Sequence, residues 1–168
     1  MGAGSGAAAP VCAGTNSWIG YGGGSTYSGT YNTWAVQTQV SNWKTPAGVS
    51  KVCSLKQDAR VVSGSGNVRM SLYDTSWNLI CQCSSEIAVT SAGYYECAYP
   101  NLTGPCNVSP ETDYKYAVTK DGDTQLHYES EAAGSGWIYG AEYTGGFPAT
   151  WTTETTTALM AHGVVGVQ

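Results

Sequence analysis

The chain has 168 residues and a formal net charge of −5, and only 11% of its residues are charged. Its seven Lys and Arg are spread from Lys44 to Lys120, which argues against a nucleic-acid partner, because phosphate binding needs grouped cations. No apolar run reaches the roughly 18 residues of a membrane-spanning helix, and the chain is built instead from Gly (22), Tyr (12) and Trp (6) with one Phe, ring types suited to half-buried sheet positions.

Residues 1–17 read as a flexible Gly/Ala-rich arm, because Gly and Ala bury little and Pro10 interrupts strand pairing. Met1 to Pro10 has neither a cationic start nor an apolar h-region, so it does not read as a signal peptide. Gly6 occupies the position where a myristoylation signal carries Ser or Thr. Two readings of the arm stay open: a tail without structure, or a segment that orders against a neighbouring subunit.

Residues 18–168 read as one domain with a period of two. Trp34, Val36, Thr38 and Val40 alternate with polar or small neighbours, as in a half-buried strand. Val68, Met70 and Leu72 form a second such row, and Leu79, Cys81 and Cys83 are expected to share one face of a third. Further rows are Tyr114, Tyr116 and Val118, then Leu126 and Tyr128, and a more apolar last strand runs from Leu159 to Val167. Turn signals separate them. Tyr73 to Asn78 reads as a hairpin connection, Ser63–Gly66 and Ser91–Gly93 as loops, and Lys120-Asp121-Gly122-Asp123 as a tight hairpin, since Asp-Gly supplies the positive φ such turns need. No stretch combines helical periodicity with helix caps. These features predict an all-β fold, an antiparallel β-sandwich of about eight to ten strands.

Six cysteines are present: Cys12, Cys53, Cys81, Cys83, Cys97 and Cys106. The even count favours disulfides, and all fifteen full pairings stay open. Zinc is the rival reading, yet Cys81-x-Cys83 is tighter than the usual Cys-x2–4-Cys knuckle.

The stretch from Asn67 to Trp151 carries Asn67-Val68-Arg69-Met70-Ser71-Leu72-Tyr73-Asp74, then Asn78-Leu79-Ile80. It continues through Val108-Ser109-Pro110-Glu111-Thr112-Asp113-Tyr114 to Tyr143-Thr144-Gly145-Gly146-Phe147-Pro148. This pattern of strand edges and turns resembles jelly-roll-like β-sandwich modules of phage virion surface proteins, in capsid decoration, cement or fibre roles, and of carbohydrate-binding modules. The resemblance implies a jelly-roll-like fold and a binding or structural role, and it transfers no catalytic residue.

Catalytic constellations are scarce. His127 and His162 fit no His-x-His or His-Glu-x-x-His arrangement, there is no Gly-x-Ser-x-Gly elbow, and Gly22-Gly23-Gly24 has no helix behind it to form a phosphate loop. Glu96 and Glu142 are the carboxylates that a small β-sandwich glycosidase would use. Asp121 with Asp123, or Asp74 with a backbone carbonyl, offers too few oxygens for Ca²⁺ and reads as turn chemistry. Two sequons, at Asn101 and Asn107, read as chance matches. Sugar rings stack on exposed aromatic side chains, which makes Trp77, Trp137, Tyr139, Tyr143 and Trp151 the glycan-binding candidates.

The first functional expectation is a non-enzymatic structural protein on a virus or phage particle. Its arm would bridge neighbouring subunits of a homo-oligomer, a trimer by analogy. The second is a carbohydrate-binding module or lectin-like adhesin, and the third a glycosidase. No cofactor or metal is implied, and a virion-surface or extracellular location is expected.

Overall fold

A computed structural model describes residues 12, 17–20, 37–121, 123–130, 136–139, 146–150, 156–157, 159–161 and 163–168. These residues hold strands and no helix. In chain order the strands are β1 (Ser17–Gly20), β2 (Gln37–Lys44), β3 (Val52–Val61), β4 (Gly66–Tyr73), β5 (Leu79–Cys83), β6 (Ile87–Val89), β7 (Gly93–Ala98), β8 (Leu102–Thr103), β9 (Asp113–Lys120), β10 (Thr124–Leu126), β11 (Tyr128–Ser130), β12 (Gly136–Tyr139), β13 (Thr156–Thr157), β14 (Leu159–Ala161) and β15 (Gly163–Val167). Nine of these segments have four residues or more, in line with the expected eight to ten strands.

The strands form two antiparallel sheets. The five-stranded sheet runs β1-β15-β3-β10, with β7 along the opposite edge of β3. The eight-stranded sheet runs β13-β12-β2-β9-β4-β5-β8, with β6 also paired to β4. β11 and β14 form a separate pair where β10 and β15 run on beyond β3. The fold is an all-β antiparallel sandwich, as the alternation predicts.

The core lies between the sheets. Leu55, Ala59, Leu126, Val165 and Val167 from the smaller sheet meet Val68, Met70, Leu72, Tyr114, Tyr116 and Val118 from the larger. Tyr116 spans the gap: its ring centroid lies 5.3 Å from that of Trp43, and its hydroxyl donates to the Lys56 carbonyl at 2.9 Å. The Gln57 Oε1 lies 3.2 Å from the same hydroxyl, so buried Gln57 is satisfied across the core. Lys120 is also buried, and its ammonium donates to the Thr124 carbonyl at 2.6 Å.

Two disulfides form, Cys12–Cys53 and Cys81–Cys106. The first ties the N-terminal arm to β3, and the rest of residues 1–16 lies outside the described residues. With sequence separations of 41 and 25, each stabilises by about 3–4 kcal/mol in the chain-entropy account. Cys83 and Cys97 remain thiols.

Three local expectations are corrected. Leu79 does not share a face with Cys81 and Cys83, because the β4–β5 register shifts between Leu72 and Tyr73. That bulge turns Leu79 to the outer face, where it packs against Tyr73, Ala117 and Phe147. The Asp121 turn is not a hairpin, since β9 pairs with β2 and β4 while β10 pairs with β3 in the other sheet. The run from Leu159 to Val167 is two segments, β14 and β15, which pair with different partners. Trp34 and Val36 lie outside the described residues.

Candidate functional site

Along β3 the inward row is Leu55, Gln57 and Ala59. The alternation therefore turns Ser54, Lys56, Asp58 and Arg60 to the outer face of the five-stranded sheet. On β7, Tyr95 and Cys97 pack inward, so Tyr94, Glu96 and Ala98 share that outer face. The register sets Tyr94 opposite Asp58, Glu96 opposite Lys56 and Ala98 opposite Ser54. On the other side of β3, β10 sets Gln125 opposite Arg60.

This face is polar and held in place by hydrogen bonds. Both carboxylate oxygens of Glu96 are engaged: Oε1 accepts from the Ser54 hydroxyl at 2.5 Å and Oε2 lies 3.2 Å from the Lys56 ammonium. Arg60 Nε donates to Gln125 Oε1 at 2.8 Å. His127, the residue between β10 and β11, gives its backbone N–H to the Asp58 carbonyl at 2.9 Å, and its Nδ1 lies 2.5 Å from Asp58 Oδ2. His127 and Asp58 are both buried although they belong to an outer row.

Tyr94 stands among these groups with 47% of its surface exposed, a large value for so apolar a ring. Tyr99, just past the end of β7, is 45% exposed with the Lys51 ammonium 5.7 Å from its ring centre. The start of β7 is fixed by Tyr95, whose hydroxyl accepts the backbone N–H groups of Thr90 and Ser91 at 2.9 Å each and donates to the Ser91 carbonyl at 2.7 Å. An exposed ring beside an oriented carboxylate, ammonium and guanidinium can stack on the apolar face of a sugar and hydrogen-bond its hydroxyls.

Of the expected glycan-binding residues, Trp77 alone has a described side chain, and it lies away from this face. Trp77 lies on the outer face of the other sheet, half-buried against the cluster of Tyr73, Ala117 and Phe147. The Lys115 ammonium sits 3.6 Å from the centre of its ring, and the Tyr73 ring centroid is 6.3 Å away. Trp137 and Tyr139 are in β12, opposite Val40 and Thr38 of β2, and their side chains lie outside the description. Tyr143, Trp151, Glu142 and His162 lie outside the described residues altogether. The Asp121 carboxylate is taken up by the side-chain amide of Asn67 at 2.9 Å, that of Asp123 by the Ser63 hydroxyl at 2.8 Å, and that of Asp74 by the backbone N–H groups of Ser76 and Asn78 at 2.9 and 2.8 Å. Tyr94 was not among the sequence candidates, although Tyr94-Tyr95-Glu96-Cys97 carried a signal for its exposure: an inward Cys97 turns Tyr94 and Glu96 outward.

Trp77 has a backbone feature of its own, a φ of +65°. It closes the β4–β5 hairpin, donating its N–H to the Asp74 carbonyl at 3.1 Å, in a left-handed position that favours glycine. Trp77→Ala and Trp77→Gly both lose the ring packing, and only glycine relieves the left-handed conformation, worth about 1 kcal/mol. Urea unfolding is therefore expected to find Trp77→Gly more stable than Trp77→Ala by about that amount. Equal stabilities would mean that the backbone there carries no strain.

No protein-family model matches the sequence, and no curated protein matches it, so the resemblance to phage surface modules gains no support there. Among solved structures the chain is similar to the cysteine protease and lectin-like domains of Cwp84, a surface layer associated protein of Clostridium difficile, at 10% identity and a TM-score of 0.51. The match covers 80% of this chain and 32% of that one, so this chain spans about a third of its neighbour. At that identity the likeness is one of fold.

Proposed function

We propose that this chain is a non-enzymatic, extracellular glycan-binding domain of lectin-like type, with the outer face of the five-stranded sheet as its binding face. The observation that carries the reading is Tyr94, an exposed ring set among the fixed polar groups of Lys56, Arg60 and Glu96. Two disulfides support an oxidising, extracellular setting. The lectin-like domain of the Clostridium difficile neighbour supports the same class.

The test is binding to a panel of soluble polysaccharides, followed by calorimetry on the best ligand. Wild type is expected to bind, and Tyr94→Ala to weaken binding by roughly 10–100-fold, as for loss of an aromatic anchor. Its unfolding midpoint should hold within about 2 °C, because the ring is half exposed. Binding to no polysaccharide, or undiminished binding by Tyr94→Ala, overturns the proposal. Release of reducing sugar that disappears in Glu96→Gln would establish an enzyme instead.

A further inference from the structure

Cys83 and Cys97 take part in neither disulfide, and both are buried. Cys83 ends β5 in the larger sheet and Cys97 lies in β7 of the smaller, so the two inward-facing side chains come from opposite layers of the sandwich. Both thiols lie in one buried core cluster and close to one another, since Cys97 donates to the residue beside the strand partner of Cys83. The backbone holds them in that relation: the Asn101 carbonyl accepts both the Ser84 N–H at 2.9 Å and the Cys97 thiol at 3.1 Å. Leu102, the next residue, is the strand partner of Cys83.

We infer that Cys83 and Cys97 are a redox-active dithiol that closes into a third disulfide, stapling one sheet to the other. The oxidant is a small-molecule disulfide such as oxidised glutathione. The two thiols are inequivalent. The hydrogen bond from Cys83 lowers the pKa of Cys97, whereas burial pushes that of Cys83 up. Cys97, which is also the less buried of the two at 4% against 0% exposed, is the attacking sulfur. Its thiolate attacks one sulfur of the oxidant, the oxidant's S–S bond breaks, and one glutathione thiolate leaves and takes up a proton. Cys83 then gives up its proton and attacks the Cys97 sulfur of the mixed disulfide, expelling the second glutathione. Two protein thiols are oxidised and one glutathione disulfide is reduced to two thiols.

Access runs through β8, a two-residue strand whose pairing among the described residues is with β5 alone. Oxidation proceeds by local opening of this edge with the Cys81–Cys106 bond intact. The new bond would fix β7, the strand that presents Tyr94 and Glu96, against the sheet behind it. The inference does not depend on what that face binds.

The test uses the whole chain with its two disulfides intact. It is incubated with oxidised glutathione, quenched in acid, denatured, labelled with N-ethylmaleimide and weighed. Two labels per chain before oxidation and none after, with no retained glutathione, is the expected result. Peptide mapping should find Cys83 joined to Cys97, and the unfolding midpoint should rise by about 4 °C or more. In Cys83→Ser the reaction should stop with one glutathione on Cys97. Persistence of both labels in wild type, a lasting glutathione adduct in wild type, or linkage of either residue to Cys81 or Cys106 overturns the inference.

Discussion

Replacing His127 with alanine is expected to lower the unfolding free energy by about 1.5–3 kcal/mol, the range for a hydrogen bond to a charged group. The magnitude follows from where the pair sits. Asp58 and His127 belong to the outer row of the five-stranded sheet, yet both are buried and their side chains meet at 2.5 Å. Without the imidazole, a carboxylate shielded from water loses a close hydrogen-bond partner. The backbone bond from His127 N–H to the Asp58 carbonyl survives the substitution, so the loss reports on the side chains. Asp58→Ala should cost less, because a neutral imidazole tolerates burial better than an anion. The double variant His127→Ala/Asp58→Ala should be more stable than His127→Ala alone. Urea unfolding of the four proteins measures the coupling. Additive losses would mean that the two side chains do not support each other. Against a total stability of about 5–15 kcal/mol, the single change removes a large share.

Gly163→Ala is the second change with a large expected effect, about 3 kcal/mol or more, at or above the upper end of the usual range for overpacking. A Cβ on Gly163 would lie 2.3 Å from Cε1 and Cζ of Tyr116 and 2.6 Å from its hydroxyl oxygen. Tyr116 has little room to yield. Its ring is fully buried beside Trp43, and its hydroxyl is committed to the Lys56 carbonyl and Gln57. Moving it would cost ring packing in one sheet and hydrogen bonds to the other. If that contact is the cause, a smaller residue at 116 should relieve it. Tyr116→Leu alone is destabilising, since it leaves Gln57 buried with one partner fewer. Gly163→Ala combined with Tyr116→Leu should then cost less than the two single losses added together. A fully additive result would place the clash elsewhere.

The functional proposal uses few of the residues that sequence patterns single out, for a physical reason. An exposed Tyr and an interior Tyr look alike in a chain with twelve of them. What distinguishes Tyr94 from Tyr95 is one step in the pleat. What makes Tyr94 a binding candidate is Lys56 and Arg60, which lie about 35–40 positions away along the chain and are brought beside it by the β3–β7 pairing. Trp77, which sits at the tip of a correctly anticipated hairpin, is instead packed against Tyr73 and covered by Lys115.

The sequence by itself determined the class of fold and the direction of many side chains. Val68, Met70 and Leu72, and Tyr114, Tyr116 and Val118, point into the core as their alternation requires, because the two-residue period is a property of the local backbone. The Asp74 hairpin was legible for the same reason, since its side chain organises its own turn. Only the tertiary structure decided which strands pair, and three outcomes followed from that. The bulge opposite Leu72 and Tyr73 sent Leu79 to the other face. The Asp121 turn became a crossing between sheets. Of six similar cysteines, four were joined and Cys83 and Cys97 were left as thiols in the buried core between the sheets. Pairing is chosen by packing between residues far apart in the chain, and a period of two is the same whichever partner a strand takes.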